Sequence, residues 1–252
     1  MKLELLPALQ TQRELYTMPR GFERFWKYIE TIRGGTDDMA LPIVAMNPMG
    51  HDHNAAKLDE LLAFDAETVA TNALAECERR LAHLEGELKV CLCVCDDARS
   101  QWTNRYATEA AFRFQPKAEL RRGFATIPCW TNETWTPDAV RREVLMTVYR
   151  HAYMLRRGLP KTLGQIMRQE GLAMYFGGAT QTLSPDDVDY TRIVLAPYRE
   201  AKDTPTLMAA LFGDEAARAL GYEPLGLSPR AGFMAALAEV MTQNMKPEEV
   251  LG

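Results

Sequence analysis

Residues 136–178 read TPDAVRREVLMTVYRHAYMLRRGLPKTLGQIMRQEGLAMYFGG, and this stretch decides the fold that the sequence predicts. It has the pattern of two consecutive helices. Thr136 and Thr162 are suited to cap them, because a threonine hydroxyl accepts hydrogen bonds from the first free backbone N–H groups of a helix. Each helix places one polar side chain within an apolar face, His151 in the first and Glu170 in the second. A functional interpretation therefore begins with these two residues.

The composition restricts the class of protein and the kinds of partner. Of the 252 residues, 47% are hydrophobic and 25% are charged, which is the profile of an ordinary globular protein. A formal net charge of −5 gives no reason to expect a nucleic-acid partner. No apolar run approaches the roughly 18–20 residues of a membrane span, and the N-terminus lacks the apolar segment of a signal peptide. We therefore expect a cytoplasmic protein whose partners include neither nucleic acid nor membrane.

The cysteines favour core packing over metal binding. Their number, five, is odd, which favours reduced thiols over a disulfide framework. Cys91, Cys93 and Cys95 alternate along an apolar run, so on a strand they point to one face at spacings of about 6.5–7 Å. Three such thiolates do not close around one tetrahedral zinc ion at Zn–S distances of about 2.3 Å. We predict that they pack in a core.

The chain reads as one domain over residues 1–252, with three parts. Residues 1–86 form a helical N-terminal part, residues 87–135 a small β-sheet, and residues 136–252 the motif helices and further C-terminal helices. No flexible linker separates these parts. The predicted fold class is therefore α+β and mainly helical.

Shorter patterns predict the elements within these parts. A long amphipathic helix is expected over residues 54–86, with a bend near Phe64. Short runs rich in apolar residues predict the strands of the sheet. These strands are expected at residues 87–95, 109–114 and 123–129.

The order of these elements resembles a known family. The phrases TLGQIMRQEGLAMYF at residues 162–176 and LFGDEAARALGYEPLG at residues 211–226 are similar to segments of the predicted zinc-dependent proteases of the gluzincin type. The resemblance covers roughly residues 87–240. It implies a gluzincin or zincin-like metallopeptidase fold, in which a small sheet precedes two motif helices, and it implies zinc as the cofactor.

The metal-binding motif of that family is degenerate in this chain. When HExxH is carried over, its last histidine falls on His151, its third position on Tyr149, and the third metal ligand on Glu170. Thr147 then replaces the first histidine and Val148 replaces the catalytic glutamate. Threonine is a poor zinc ligand and valine cannot accept a proton from a metal-bound water. The resemblance therefore implies the scaffold without ordinary HExxH proteolysis.

Two functional hypotheses follow, and they leave open whether the chain is an enzyme. In the first, it is a degenerate relative of zinc peptidases that keeps a cleft for a small molecule or peptide. In the second, it is a metal-dependent hydrolase whose site is rebuilt from His151, Glu170 and an outside ligand such as His51 or His53. A third interpretation is an interaction protein that uses only the fold. The alternative for His151 and Glu170 is a buried polar pair across two helices.

Residues near the predicted sheet are candidates for ligand binding. The resemblance implies that the strand before the motif helix borders a substrate cleft. Aromatic and polar side chains there hold a ligand by stacking and hydrogen bonding, or they cover the edge of the sheet. The ligand-binding candidates are Trp102, Asn104, Arg105, Tyr106, Trp130, Tyr149 and Arg150.

Overall fold

The computed structural model describes residues 1–98 and 103–252. It is mainly helical with one small sheet, which confirms the α+β, mainly helical class. The gluzincin fold itself stays a prediction. The chain divides into two compact units, Met1–Val148 and Tyr149–Gly252. The single domain stays a prediction.

A three-stranded parallel sheet organises the first unit. Its strands are β1 (Lys2–Leu5), β2 (Glu87–Cys95) and β3 (Phe124–Trp130), and β2 lies in the middle. Because successive parallel strands need crossover connections, helices separate them along the chain. Since β2 and β3 run in the same direction, they end at the same side of the sheet. We call that side the carboxyl edge, and Asp96 is the first residue beyond β2 there.

Seven helices lie wholly or partly in the described part of the first unit. They are α1 (Leu9–Leu15), α2 (Phe22–Arg33), α3 (Asp52–Ala63), α4 (Ala66–Arg80), α5 (Arg105–Phe114), α6 (Lys117–Arg122) and α7 (Pro137–Arg157), the last of which continues into the second unit. The bend predicted near Phe64 is confirmed as the break between α3 and α4. Asp65 adopts a left-handed φ of 53° there, and its side chain accepts from the backbone N of Thr68 to cap α4.

Two local predictions for the first unit were wrong. The strand expected at residues 109–114 is the helix α5, which Asn104 caps by accepting from the backbone N of Ala107 at 3.0 Å. Within it Glu109 and Arg113 pair at 2.7 Å with helical i,i+4 spacing. The N-terminal part is also not purely helical, because residues 2–5 form β1. A four-residue edge strand has little pattern of its own and forms by pairing with β2.

The cysteines of β2 lie in the core of the first unit, as predicted. Cys91, Cys93 and Cys95 pack in one buried cluster with residues that include Tyr28 and Met46. All five cysteines of the chain are free and buried. Burial raises the pKa of Cys77, Cys91, Cys95 and Cys129, which keeps these four thiols protonated and unreactive.

The second unit is helical throughout. After the end of α7 it contains α8 (Leu163–Gly177), α9 (Pro185–Leu195), a short 3-10 helix (Ala196–Tyr198), α10 (Thr204–Phe212), α11 (Asp214–Ala219), α12 (Ala231–Thr242) and α13 (Pro247–Leu251). Helices α8 and α12 cross closely at Gly171. A Cβ atom there would lie 2.4 Å from the carbonyl oxygen of Ala236, so only glycine fits. None of the helices in the described part of the chain is long and apolar enough to cross a membrane.

Candidate functional site

A set of polar side chains converges at the carboxyl edge of the sheet. In open sheets of parallel strands, ligands commonly bind outside the carboxyl ends of the strands. The side chains come from α2 and α3, from the loops before and between them, and from the end of β2. The polar cluster, as we name it, consists of Tyr16, Arg20, Arg24, Asn47, His51, His53, Asn54 and Asp96.

Asp96 is the centre of the polar cluster. The residue is completely buried, and a buried carboxylate is costly unless donors surround it. Its Oδ1 accepts from His53 Nε2 at 2.9 Å and from the backbone N of Ala98 at 3.2 Å. Its Oδ2 accepts from Asn47 Nδ2 at 3.0 Å and from Asn54 Nδ2 at 3.2 Å. These four donors hold an ionised carboxylate in one position.

Asp96 in turn sets the orientation of His53. His53 Nε2 lies 2.9 Å from Asp96 Oδ1 and 3.1 Å from Asn54 Nδ2, and we assign the proton to Nε2 because a carboxylate oxygen accepts it. In the neutral ring, the lone pair is then on Nδ1. Within the described residues, no group hydrogen-bonds to Nδ1. The His53 side chain is 26% exposed, so its ring can be reached from outside. An imidazole held in one tautomer by a buried carboxylate is suited to accept and return a proton.

The buried Arg24 and the half-buried Tyr16 form one wall of the polar cluster. The guanidinium of Arg24 lies 5.2 Å from the centre of the Tyr16 ring, within the range of a cation–π interaction. The Tyr16 hydroxyl donates to the carbonyl of Asn47 at 2.6 Å. Burial lowers the pKa of Arg24, and the nearby charge of Arg20 lowers it further. Burial also raises the pKa of the Tyr16 hydroxyl, so it stays protonated.

Arg20 and His51 form the exposed rim. Arg20 Nη1 lies 3.0 Å from His51 Nε2, and the rings of His51 and His53 are nearly parallel with centres 6.4 Å apart. The preceding Gly50 has no room for a side chain, because a Cβ atom would lie 2.3 Å from Asn54 Nδ2. The structure therefore brings together the two histidines predicted from the sequence.

Arg105, a candidate ligand-binding residue from the sequence, already has charged partners in the structure. Arg105 pairs with Asp97 at 2.7 Å, with Glu109 at 3.2 Å and with Glu133, and its guanidinium lies 4.4 Å from the centre of the Trp130 ring. Burial acts to lower the pKa of Arg105, but these carboxylates outweigh it and raise the pKa overall. This guanidinium holds the loop and α5 together.

The other candidates of this region have structural contacts or lie outside the description. Trp130 is buried, and its carbonyl accepts from Trp135 Nε1 at 3.1 Å. Asn104 is occupied as the cap of α5, and Tyr106 lies half-buried in its first turn. Trp102 lies outside the described residues. Ligand binding by these residues stays a prediction.

In the second unit, Glu170 is paired with Arg150. Arg150 Nε donates to Oε1 at 2.7 Å and Nη2 donates to Oε2 at 3.2 Å, so the guanidinium occupies both carboxylate oxygens. Gln169 Nε2 donates to Oε1 as well, at 3.2 Å. The two charged side chains are only 4% and 0% exposed, and His151 beside Arg150 is equally buried. The buried polar pair weighed for Glu170 is thus formed with Arg150.

Tyr149, the remaining candidate, also has a structural contact. Its ring is completely buried and lies 5.0 Å from the Phe176 ring. Its hydroxyl donates to the carbonyl of Pro247 at 2.8 Å, which fastens α13. Burial raises the pKa of this hydroxyl.

The donors at the motif positions do not suit a zinc ion. Glu170 would have to release Arg150, and removing one partner of a buried ion pair costs about 3–5 kcal/mol. Thr147 offers neither an imidazole nor a carboxylate. Over residues 1–98 and 103–252, no group of three histidine, cysteine, aspartate or glutamate side chains is arranged to hold a metal ion. His51 and His53 belong to the first unit, whereas His151 and Glu170 belong to the second.

Most of the polar cluster was not predicted from the sequence. The one available signal was Asp96, a charged residue directly after a buried strand. That signal becomes specific only when the strands are known to be parallel, which the sequence did not show. Asn47, Asn54 and Arg24 lie in segments whose patterns indicate only loops or helices.

No family model, no curated protein and no solved structure matches this chain. The resemblance to gluzincins therefore stays a prediction. A functional conclusion has to rest on the geometry of the site.

Proposed function

We propose that this chain binds a small molecule at the polar cluster, where His53, held by Asp96, is the acid–base group. The observation that carries this proposal is the 2.9 Å hydrogen bond from His53 Nε2 to a carboxylate that is itself buried and bonded to four donors. The proposal keeps the part of the first hypothesis that predicts ligand binding without HExxH proteolysis. It places that binding at the carboxyl edge.

The arrangement around Asp96 favours a binding site over a purely structural network. Buried charged groups cost free energy, and apolar packing fills a core at lower cost. Here the buried carboxylate instead fixes a partly exposed imidazole, and two arginines contact the nearby residues Gly50 and His51. Exposure rises from Asp96 through His53 to His51, so a ligand entering at the rim reaches the ring of His53. Pre-organised polar groups of this kind give a small-molecule site its specificity.

Ligand-detected NMR tests this proposal. A set of small carboxylic acids, phosphate esters, amines and neutral amides is screened against the wild-type chain, His53→Gln and Asp96→Asn. The matched control is His83→Gln, since His83 is an exposed histidine of the same unit. We expect binders of the wild type and the control that the other two variants lose, with circular dichroism confirming that all four chains are folded. Binders that persist unchanged in His53→Gln, or the absence of any binder at millimolar concentration, would overturn the proposal.

Metal analysis tests the alternative of a rebuilt metal-dependent hydrolase. The protein is purified without added zinc, and its metal content is measured for the wild type and for His151→Ala. Our proposal predicts no stoichiometric zinc in either chain. Stoichiometric zinc that His151→Ala loses would favour the metal-dependent hydrolase instead.

A further inference from the structure

Arg24 carries a buried charge that has no ion-pair partner among the described residues. The residue is 4% exposed, and within the described part of the chain no carboxylate forms an ion pair with it. A guanidinium has five N–H donors. Two of its hydrogen bonds go to backbone carbonyls, from Nη2 to Gly50 at 3.2 Å and from Nη1 to Met18 at 3.4 Å. Three of the five donors remain, and the buried Nε is among them.

A second positive charge lies beside the first. Arg20 Nη1 contacts His51, and Arg24 Nη2 contacts the carbonyl of the adjacent Gly50, so both guanidinium groups meet the same short segment. The mutual repulsion of these charges is one cause of the lowered pKa of Arg24. The charge of Asp52 acts to raise the pKa of Arg24, but no carboxylate among the described residues forms an ion pair with either arginine. Asp96 is occupied by its four donors, and Asp52 is exposed and forms no ion pair within the described residues.

We propose that the polar cluster takes the phosphate group of a small phosphorylated ligand, with Arg24 and Arg20 as its anion-binding residues. This inference rests on the proposed function and names the class of ligand. A phosphate monoester carries close to two negative charges at neutral pH, which matches two guanidinium groups. Its oxygens also match the fork of N–H donors that a guanidinium presents. A carboxylate would neutralise only one of the two charges.

Ligand binding would explain why Arg24 is tolerated without a carboxylate partner among the described residues. A buried cation is costly when it is unpaired, and an incoming dianion supplies both the charge and the acceptors that three donors of Arg24 need. The Tyr16 ring supports the guanidinium from one side. His53 then lies on the same Gly50–Asn54 segment that the arginines contact, so its ring is placed beside the bound ligand.

Titration with inorganic phosphate tests this inference on the whole chain. Binding is measured by calorimetry and by the rise in melting temperature, with sodium chloride at equal ionic strength as the baseline and sodium acetate as the monoanion. The variants are Arg24→Gln and Arg20→Gln. The matched control is Arg33→Gln, an exposed arginine of the same helix. We expect the wild type and the control to bind phosphate, and each of the other variants to bind it about tenfold more weakly or worse.

Each outcome decides the inference. Phosphate binding that is unchanged in both Arg20→Gln and Arg24→Gln would overturn it, and so would acetate binding as tightly as phosphate. If Arg24→Gln does not fold, Arg20→Gln decides alone, because Arg20 is exposed. If phosphate does not bind while other small molecules still bind in a His53-dependent way, this inference fails and the proposed function stands. If neither binds, both fail.

Discussion

Replacing Glu170 by glutamine should destabilise the second unit strongly. The change keeps the size of the side chain but removes the charge that faces Arg150, whose side chain is 4% exposed. It also turns an acceptor into an amide donor that faces a guanidinium, so at least one of the bonds at 2.7 and 3.2 Å is lost. An uncompensated buried charge costs about 3–5 kcal/mol. We expect Glu170→Gln to lower the free energy of unfolding by this amount.

Urea unfolding followed by far-UV circular dichroism measures the loss. The melting temperature should also fall, by roughly 2–4 °C for each kcal/mol in a chain of this length. All four tryptophans, residues 26, 102, 130 and 135, precede residue 149. Their fluorescence therefore reports the first unit, whereas circular dichroism reports the helices of both. Glu200→Gln is the matched control, because Glu200 is an exposed glutamate of the second unit.

A double variant separates the charge from the packing. Arg150→Met combined with Glu170→Leu removes both charges and keeps apolar volume, and replacing a buried ion pair in this way is often neutral or stabilising. We expect the double variant to recover most of the stability that Glu170→Gln loses. The reasoning is refuted if Glu170→Gln costs no more than Glu200→Gln. It is also refuted if zinc stabilises the wild type and not Glu170→Gln, since Glu170 would then be a metal ligand.

Three further predictions follow from burial and close packing. Gly171→Ala should cost about 1–3 kcal/mol in urea unfolding, because its Cβ would lie 2.4 Å from the backbone oxygen of Ala236; an unchanged midpoint would contradict this contact. The five buried thiols should react with a thiol reagent only after unfolding, and rapid reaction of the native chain would contradict their burial. Burial raises the pKa of Tyr16, Tyr28 and Tyr149, so the stability from their neutral forms is complete below pH 10 and is lost as the pH rises above it. Absorbance titration should show that these three tyrosines ionise only when the chain unfolds, and their ionisation in the folded chain would contradict the prediction.

Local features of the fold were predictable from the sequence. The caps at Thr136 and Thr162 marked the motif helices, which the structure has as α7 and α8. The bend near Phe64 and the core position of the β2 cysteines were also predicted. These features depend on residues within about four positions of one another, or on alternation along a single strand, so the sequence carries them directly.

Local patterns gave a wrong prediction at residues 109–114. The run at residues 109–114 has enough apolar residues to suggest a strand, yet Asn104 caps a helix just before it and Glu109 pairs with Arg113 along one face. The cap and the i,i+4 pair are helical signals that outweigh composition. β1 was not predicted because its four residues carry too little local pattern, and the strand forms only by pairing with β2.

By itself, the sequence determined the class of fold and the two helices that follow Thr136 and Thr162. Only the tertiary structure decided that the strands are parallel, and hence that Asp96 lies at a carboxyl edge where His53 reaches it. It also decided that Glu170 is held by Arg150 and that Gly171 is required by a helix crossing. The physical reason is that strand pairing uses backbone atoms common to all residues. The contacts of Asp96 with Asn54, His53 and Asn47 join residues 42 to 49 positions apart, and no local pattern records such distant contacts.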